Sequence, residues 1–308
     1  MIRKLFLSTF ALIMAIAATA QPKVYVTRDI SPESLIKIYE ALGRKAEGRV
    51  AVKVSTGEAG NPNYLQPSLI GGLVKKVGGT IVECNTAYGG RRGTVEEHGF
   101  TKIAKVDIMD AEGEFRIPVR DTTNIKYDLV GKNLKNYDFM INLAHFKGHP
   151  MGGLGGVIKN QSIGVASANG KAYIHTAGYQ DKVEGMWNHT QNQEGFLESM
   201  AAAAQAVADY FGDRILYISV MNNMSVDCDC VATPEKPTLK DYGILASLDP
   251  VALDQACVDI IFNMTASEGN DNAPLKERIS SRHGTHTIEH AEKIGLGSRK
   301  YTLVNIDR

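Results

Sequence analysis

Short apolar runs alternate with longer amphipathic stretches along most of this chain, and few architectures accept that exchange of periods. Val24–Thr27, Val50–Ser55 and Thr80–Cys84 read as strands, as do Phe139–Leu143, Ile215–Val220, Gly243–Ser247 and Tyr301–Ile306. Helices fall between them. Ser31 is an N-cap and Pro32 sits in the first turn of a helix reaching about Lys45. Pro67–Val77 and the alanine-rich Glu194–Phe211 are two more. Asp249-Pro250 opens a helix through about Asn263, with Asp249 capping, and two short helices cover about 274–282 and 286–294. A mixed region separates Cys84 from Phe139, and residues 86–93 and 166–193 read as loops. Strand–helix alternation predicts an α/β fold with a largely parallel sheet flanked by helices in three layers. Residues 21–308 then form one domain, or two intimate lobes.

The first twenty residues stand apart from that pattern. Arg3 and Lys4 precede an apolar run from Leu5 to Ala17, and Ala18-Thr19-Ala20 offers small residues before Gln21. A basic start, a short apolar core and an A-x-A end describe a secretory signal peptide. The run is short for a membrane span. The expectation is a periplasmic or secreted chain with no integral span after cleavage. Loss of Arg3 and Lys4 leaves 32 basic against 34 acidic residues, which is no electrostatic footprint for nucleic acid or anionic lipid. Four cysteines are too few for a disulfide scaffold.

Chemistry concentrates in His145–Asn160, HFKGHPMGGLGGVIKN, directly after the strand Phe139–Leu143. In α/β sheets, ligands bind beyond the carboxyl ends of strands. Gly152, Gly153, Gly155 and Gly156 permit positive φ and close approach of backbone N–H groups to a ligand. Lys147 and Lys159 add cationic heads, His145 and His149 add imidazoles, and Asn160 closes the stretch. The set suits a small carboxylate or phosphate, with a divalent metal as a further option. Lys159 is expected at the start of the following helix, where the dipole also favours an anion. The spacing fits neither Walker A nor G-x-G-x-x-G, so no nucleotide is implied.

Three other groups carry chemistry. Cys228 and Cys230 in Asp227-Cys-Asp-Cys230 would face one side of an extended segment and offer two thiolates to a metal. The rival reading is a disulfide from either of them to Cys84 or Cys257, with Cys257 otherwise a core residue. His283, His286 and His290 share a helix face only if that helix begins by residue 283. Gly284 and Thr285 place the start later, with Thr285 as cap, which favours a solvated helix start over a ligand set. His98, His175 and His189 are isolated. Asp254, one turn into its helix, would be costly to bury unpartnered and is a catalytic candidate beside His149 and Lys159.

The blocks FKGH, GGVIKN, DCDC, YGILASLDPVALDQACVDII and HAEKIGLGSRKY occur in that order. In this the chain resembles the domain of unknown function 362 family from about Val50 to Ile306. Many members carry a four-iron ferredoxin module in the middle, and the family is often labelled an iron–sulfur protein. Here no cysteine lies between His175 and Glu194 and no C-x-x-C-x-x-C run exists, so no iron–sulfur cluster is expected. The glycine-rich turn ending in lysine is also distantly similar to a loop of nickel-pincer lactate racemases, which implies a small organic acid as ligand.

Two functions follow as expectations. One is an exported enzyme acting on a small anionic molecule, with Lys147 and Lys159 holding the anion and His145 or His149 as acid, base or metal ligand. The other is a non-catalytic metal- or ligand-binding protein derived from iron–sulfur electron-transfer relatives. Intact-mass analysis of the exported protein should give a chain beginning at Gln21; retention of residues 1–20 would refute the signal-peptide reading.

Overall fold

A computed structural model describes residues 21–90 and 92–307, so the signal-peptide expectation lies outside the described residues. In chain order the first elements are β1 (Lys23–Thr27), α1 (Pro32–Ala41), β2 (Val50–Lys53), α2 (Pro67–Lys76), β3 (Thr80–Glu83), α3 (Arg92–Glu97) and β4 (Val106–Ile108). A hairpin follows from β5 (Glu114–Pro118) and β6 (Tyr127–Gly131), and then β7 (Phe139–His145). A second hairpin, β8 (Lys147–His149) and β9 (Gly153–Gly155), leads into α4 (Val157–Gln161), α5 (Ala168–His175) and α6 (Gln193–Phe211). The chain ends through β10 (Ile215–Met221), β11 (Gly243–Ser247), α7 (Pro250–Asn263), α8 (Ala273–Ser281), α9 (His286–Lys293) and β12 (Thr302–Asn305).

Eight strands form one sheet in the order β12-β1-β11-β10-β7-β2-β3-β4. Every neighbouring pair is parallel except the two made by β11, which runs against both β1 and β10. The α/β fold with a largely parallel, helix-flanked sheet is therefore present.

Alternation along the central strands builds the layers. Phe139, Ile141 and Leu143 of β7 join Leu216, Ile218 and Val220 of β10 in one core, which α1 and α2 complete through Leu35, Ile38, Ile70 and Leu73. Met140 and Ala144 face the other way with Tyr217 and Met221, into a core closed by α4, α6 and α7. All seven residues of β7 and all seven of β10 are buried, as strands covered on both faces must be. Among the described residues no helix is long and apolar enough to cross a membrane.

Two segments depart from the sequence reading. The loop expected over residues 166–193 contains α5, capped by Ser167, whose side chain accepts the Gly170 N–H. The mixed region before Phe139 contains α3, β4, β5 and β6. α5 is short, its apolar periodicity is weak, and it is held by burial against β6 and α6 rather than by propensity.

Local capping fixes where the C-terminal helices lie. Asp249 accepts the N–H groups of Val251 and Ala252 at 2.9 Å, and its other oxygen accepts the Ser298 N–H at 2.9 Å. One carboxylate thus starts α7 and anchors the approach to β12. Asp249→Ala should cost about 1–2 kcal/mol in a denaturant melt; an unchanged midpoint would show that this cap is dispensable.

Candidate active site

Parallel strands present their carboxyl ends along one edge, and the last residues of β2, β3 and β7 are Lys53, Glu83 and His145. These three border a cavity of about 270 Å³ beyond the sheet, which Lys147, His149 and Lys159 also line. The sequence reading found the last four of these six; Lys53 and Glu83 it passed over. Their signal was present, since each is a charged residue closing an otherwise apolar strand, VAVK and TIVE.

Lys53 is 1 % exposed and Glu83 4 %. The Lys53 ammonium donates to Glu83 Oε2 at 2.9 Å, to Val54 O at 2.6 Å and to Asn160 Oδ1 at 3.1 Å. Glu83 also accepts from the backbone of Thr56 and Cys84. Asn160 returns a bond to Lys53 O and another to Asn142 on β7. Asn160 therefore lines the cavity while its amide ties α4 to the strand ends, beyond the ligand-binding role expected for it.

His145 and Lys147 are also engaged. The His145 ring nitrogens face Asp229 Oδ1 at 2.9 Å and Asn222 O at 2.6 Å, and Lys147 donates to Asp229 Oδ2 at 2.5 Å. Burial would push the Asp229 carboxyl up, but His145 and Lys147 more than offset it and hold it well below the usual carboxylate range. A carboxylate that the sequence reading overlooked thus neutralises much of the charge assigned to the ligand.

The glycine-rich stretch is a tight hairpin, with Lys147 opposite Gly155 and His149 opposite Gly153. Gly153 has φ +76°, and a Cβ there would sit 2.8 Å from the Gly284 α-carbon, a conformation and a gap that suit glycine. Gly155 leaves room for two lysines, since a Cβ there would sit 3.3 Å from Lys147 Cε and 3.6 Å from Lys159 Cδ. The Gly152 N–H does not face a ligand; it donates to His149 Nδ1 at 2.8 Å. Gly155 and Gly156 line the cavity, whereas Gly152 and Gly153 do not. Half of the expected glycine cradle thus shapes the hairpin, and Gly155 and Gly156 are the part that borders the cavity.

Asp254 corrects two expectations at once. It lies outside the cavity wall, fully buried, and accepts the N–H groups of Val157 and Ile158 at 2.8 and 2.9 Å. The start of α4, read as a place for an anionic ligand, is occupied by the protein's own carboxyl. Burial pushes that carboxyl up to about 7, against the two backbone donors. Asp254 thus fixes the start of α4, the helix that carries Lys159, and does not line the cavity.

Lys159 and His149 line the same cavity. Among the described residues no hydrogen-bond or ion-pair partner reaches the Lys159 ammonium. Burial, helped by the nearby Lys147 charge, lowers it from the usual lysine range to about 7. His149 receives the Met151 and Gly152 N–H groups on Nδ1, so the neutral ring carries its proton on Nε2. Burial, then Lys159, keeps its pKa well below the ordinary value. Lys171 and His175 close the far wall, where Lys171 donates to Ala166 O and burial drives His175 down to about 4. His175 was read as isolated. Its burial beside Phe196 at 4.7 Å and its place on the cavity wall come only from the packing of α5 on α6. Trp187, 50 % exposed, stands on the rim.

Cys228 and Cys230 reach the same cavity, through a turn rather than the extended segment expected. The Gly148 N–H donates to Ser225 O at 2.9 Å and brings that turn onto the hairpin. The two cysteines are bonded to each other, with Cα atoms 5.1 Å apart. Pairing with Cys84 or Cys257 does not occur, because both of those thiols are free and buried elsewhere in the core. The two cysteine sulfurs and a His149 ring nitrogen lie within 4.8 Å of one another.

The sequence matches the family described as Domain of unknown function (DUF362) over residues 50–259. No curated protein matches the chain. The solved structures similar to it include the lactate racemase apoprotein from Thermoanaerobacterium thermosaccharolyticum and a structural-genomics protein from Thermotoga maritima. The first is 14 % identical over 66 % of this chain and 50 % of its own, with a TM-score of 0.38. The second is 12 % identical over 69 % and 54 %, with a TM-score of 0.42. This chain thus spans about half the length of either. At these values neither likeness carries an argument about chemistry.

Glu83→Gln would strand the Lys53 charge in the interior, and should destabilise the fold by about 3–5 kcal/mol in a urea melt. A loss below about 1 kcal/mol would mean that water or rearrangement satisfies Lys53.

Proposed function

The chain belongs to the DUF362 family, which is defined by sequence without an activity, and we propose that it is an exported enzyme for a small carboxylate or phosphate. One observation carries this reading. Of the lysines on the cavity wall, Lys53 and Lys147 face carboxylates and Lys171 a backbone carbonyl, while Lys159 meets no partner among the described residues and is lowered to about 7. Lysine lowered toward neutrality by burial and like charge is suited both to holding an anion and to exchanging a proton with it. Neutral His149 supplies an Nε2–H donor across the same cavity. Lys159 then acts as the acid–base group, His149 orients the bound anion, and Asp254 fixes the helix turn that carries Lys159. The Cys228–Cys230 disulfide supports an oxidising compartment, the setting expected from residues 1–20.

A second reading, a non-catalytic metal-binding protein, is favoured by the cluster of His149 with the two cysteines. After reduction these three groups suit zinc with one position open. Turnover of a carboxylate by the oxidised, metal-free protein would decide against it.

The pH dependence has a definite sign. Free Lys159 is about half charged near pH 7, and a bound anion favours the charged form and raises its pKa. Binding should therefore take up little proton below pH 6, approach one proton above pH 8, and weaken as pH rises. Trp187, the one tryptophan, reports binding by fluorescence, with inorganic phosphate and succinate as probes. Lys159→Met should lose about 1.5–3 kcal/mol of binding, roughly ten- to hundredfold. The same substitution should raise thermal stability, most below pH 7. There the lysine is charged in both states and its burial penalty is complete; the penalty fades as pH climbs from 7 toward 10.5. Equal affinity in Lys159→Met, without proton uptake in the parent, would remove this reading.

A further inference from the structure

A second cluster of ionisable groups lies away from that cavity, where α9 packs on α6. His286 and His290 are one turn apart on α9 and present their rings to the same side, 6.2 Å between centroids. Each brings one ring nitrogen near a single oxygen, Glu198 Oε1 on α6. It is 3.3 Å from His286 Nε2 and 3.4 Å from His290 Nδ1. Those separations are long for hydrogen bonds between such groups, and the His290 Nδ1 contact lacks hydrogen-bond geometry altogether. They suit something else. Ligands on a tetrahedral ion with bonds of about 2.0–2.1 Å stand roughly 3.3–3.4 Å apart.

The surroundings are built in the same sense. His290 is 5 % exposed, and its Nε2 faces Asp121 Oδ2 at 2.7 Å. Asp121 is held in turn by the Thr123 N–H and hydroxyl on its other oxygen. Nearby donors, Thr123 and His290 among them, outweigh burial and keep its carboxyl below the usual range. An ionised Asp121 places the ring proton on Nε2. His290 Nδ1 is a buried ring nitrogen without a hydrogen-bond partner, 3.4 Å from Glu198 Oε1. Asn124 donates to the opposite Glu198 oxygen at 2.9 Å, so Oε1 is turned to the two imidazoles, with His286 Nε2 in a long hydrogen bond at 3.3 Å. Carboxylate–histidine–metal relays and tethered ligating carboxylates have this arrangement.

We propose that Glu198, His286 and His290 bind a divalent transition ion of the zinc class, with Asp121 and Asn124 orienting the ligands and solvent completing the shell on the half-exposed His286 side. Two imidazoles and one carboxylate select against calcium and magnesium, which take oxygen sets. The ion would tie α9 and α6 to the segment after β5 that carries Asp121. It is a separate site from the disulfide and His149, and it stands whether or not the chain is an enzyme.

Cobalt and zinc titrations of the full oxidised protein test it. Cobalt should give the visible absorption of a tetrahedral ion without a thiolate charge-transfer band. Zinc should raise the melting temperature. His286→Ala, at a half-exposed helix start, should fold normally without metal, lose affinity a hundredfold or more and melt at one temperature with or without zinc. Asp121→Asn should lose about ten- to hundredfold. A Cys228→Ser/Cys230→Ser double variant should bind like the parent. Absence of zinc binding in the parent, unchanged binding in His286→Ala, or loss of binding in the double cysteine variant would each overturn the proposal.

Discussion

The edge of the sheet depends on one buried ion pair. Lys53 and Glu83 close neighbouring parallel strands, and neither charge is tolerable there without the other. All three ammonium protons are used, and through Asn160 the network runs to Asn142, then to Val157 O and Gln161, and on to Ala204 O of α6. Sheet, hairpin exit and helical layer are thereby held in one register at the point where a ligand would enter. A purely apolar edge would bury as much surface but would not fix where α4 begins, and α4 carries Lys159.

Around that frame the carboxylates are spent on architecture. Asp229 takes His145 and Lys147, Asp254 takes the first donors of α4, and Asp249 starts α7. Little negative charge is left to meet Lys159, so burial and neighbouring cations lower its pKa. The site is strained electrostatically by what the rest of the structure uses up. On the proposed function a bound anion would relieve that strain, and the same balance is why removing Lys159 should strengthen the fold as it weakens binding.

Much of the frame was legible from the residues. FMINL running into HFKGH placed a buried strand before a polar turn, and the apolar runs at 50, 80, 139 and 215 are the four central parallel strands. Asp249-Pro250 marked the start of α7 correctly. The stretch between Cys84 and Phe139 was opaque because its strands are short and edge-bound or lie in a separate hairpin, so no long period develops. The α5 segment was opaque because its burial, not its pattern, makes it helical. Lys53 and Glu83 were missed because a lone charge at a strand end is usually solvated, and nothing local says that another strand supplies its partner.

Sequence alone determined the alternation of strand and helix, the side of the sheet that carries the glycine-rich hairpin, and the absence of ferredoxin spacing. These depend on neighbours within a few residues. Tertiary structure decided the rest, namely which ionisable groups are spent and which remain. Asp229 lies 82 residues from Lys147, Asp254 lies 97 from Val157, and Asp121 lies 169 from His290. Hydrogen bonds across such separations follow from packing, and no spacing rule encodes them. The chain could therefore announce that histidines, lysines and cysteines gather, while only the fold could leave Lys159 without a partner among the described residues and bring His290 to Glu198.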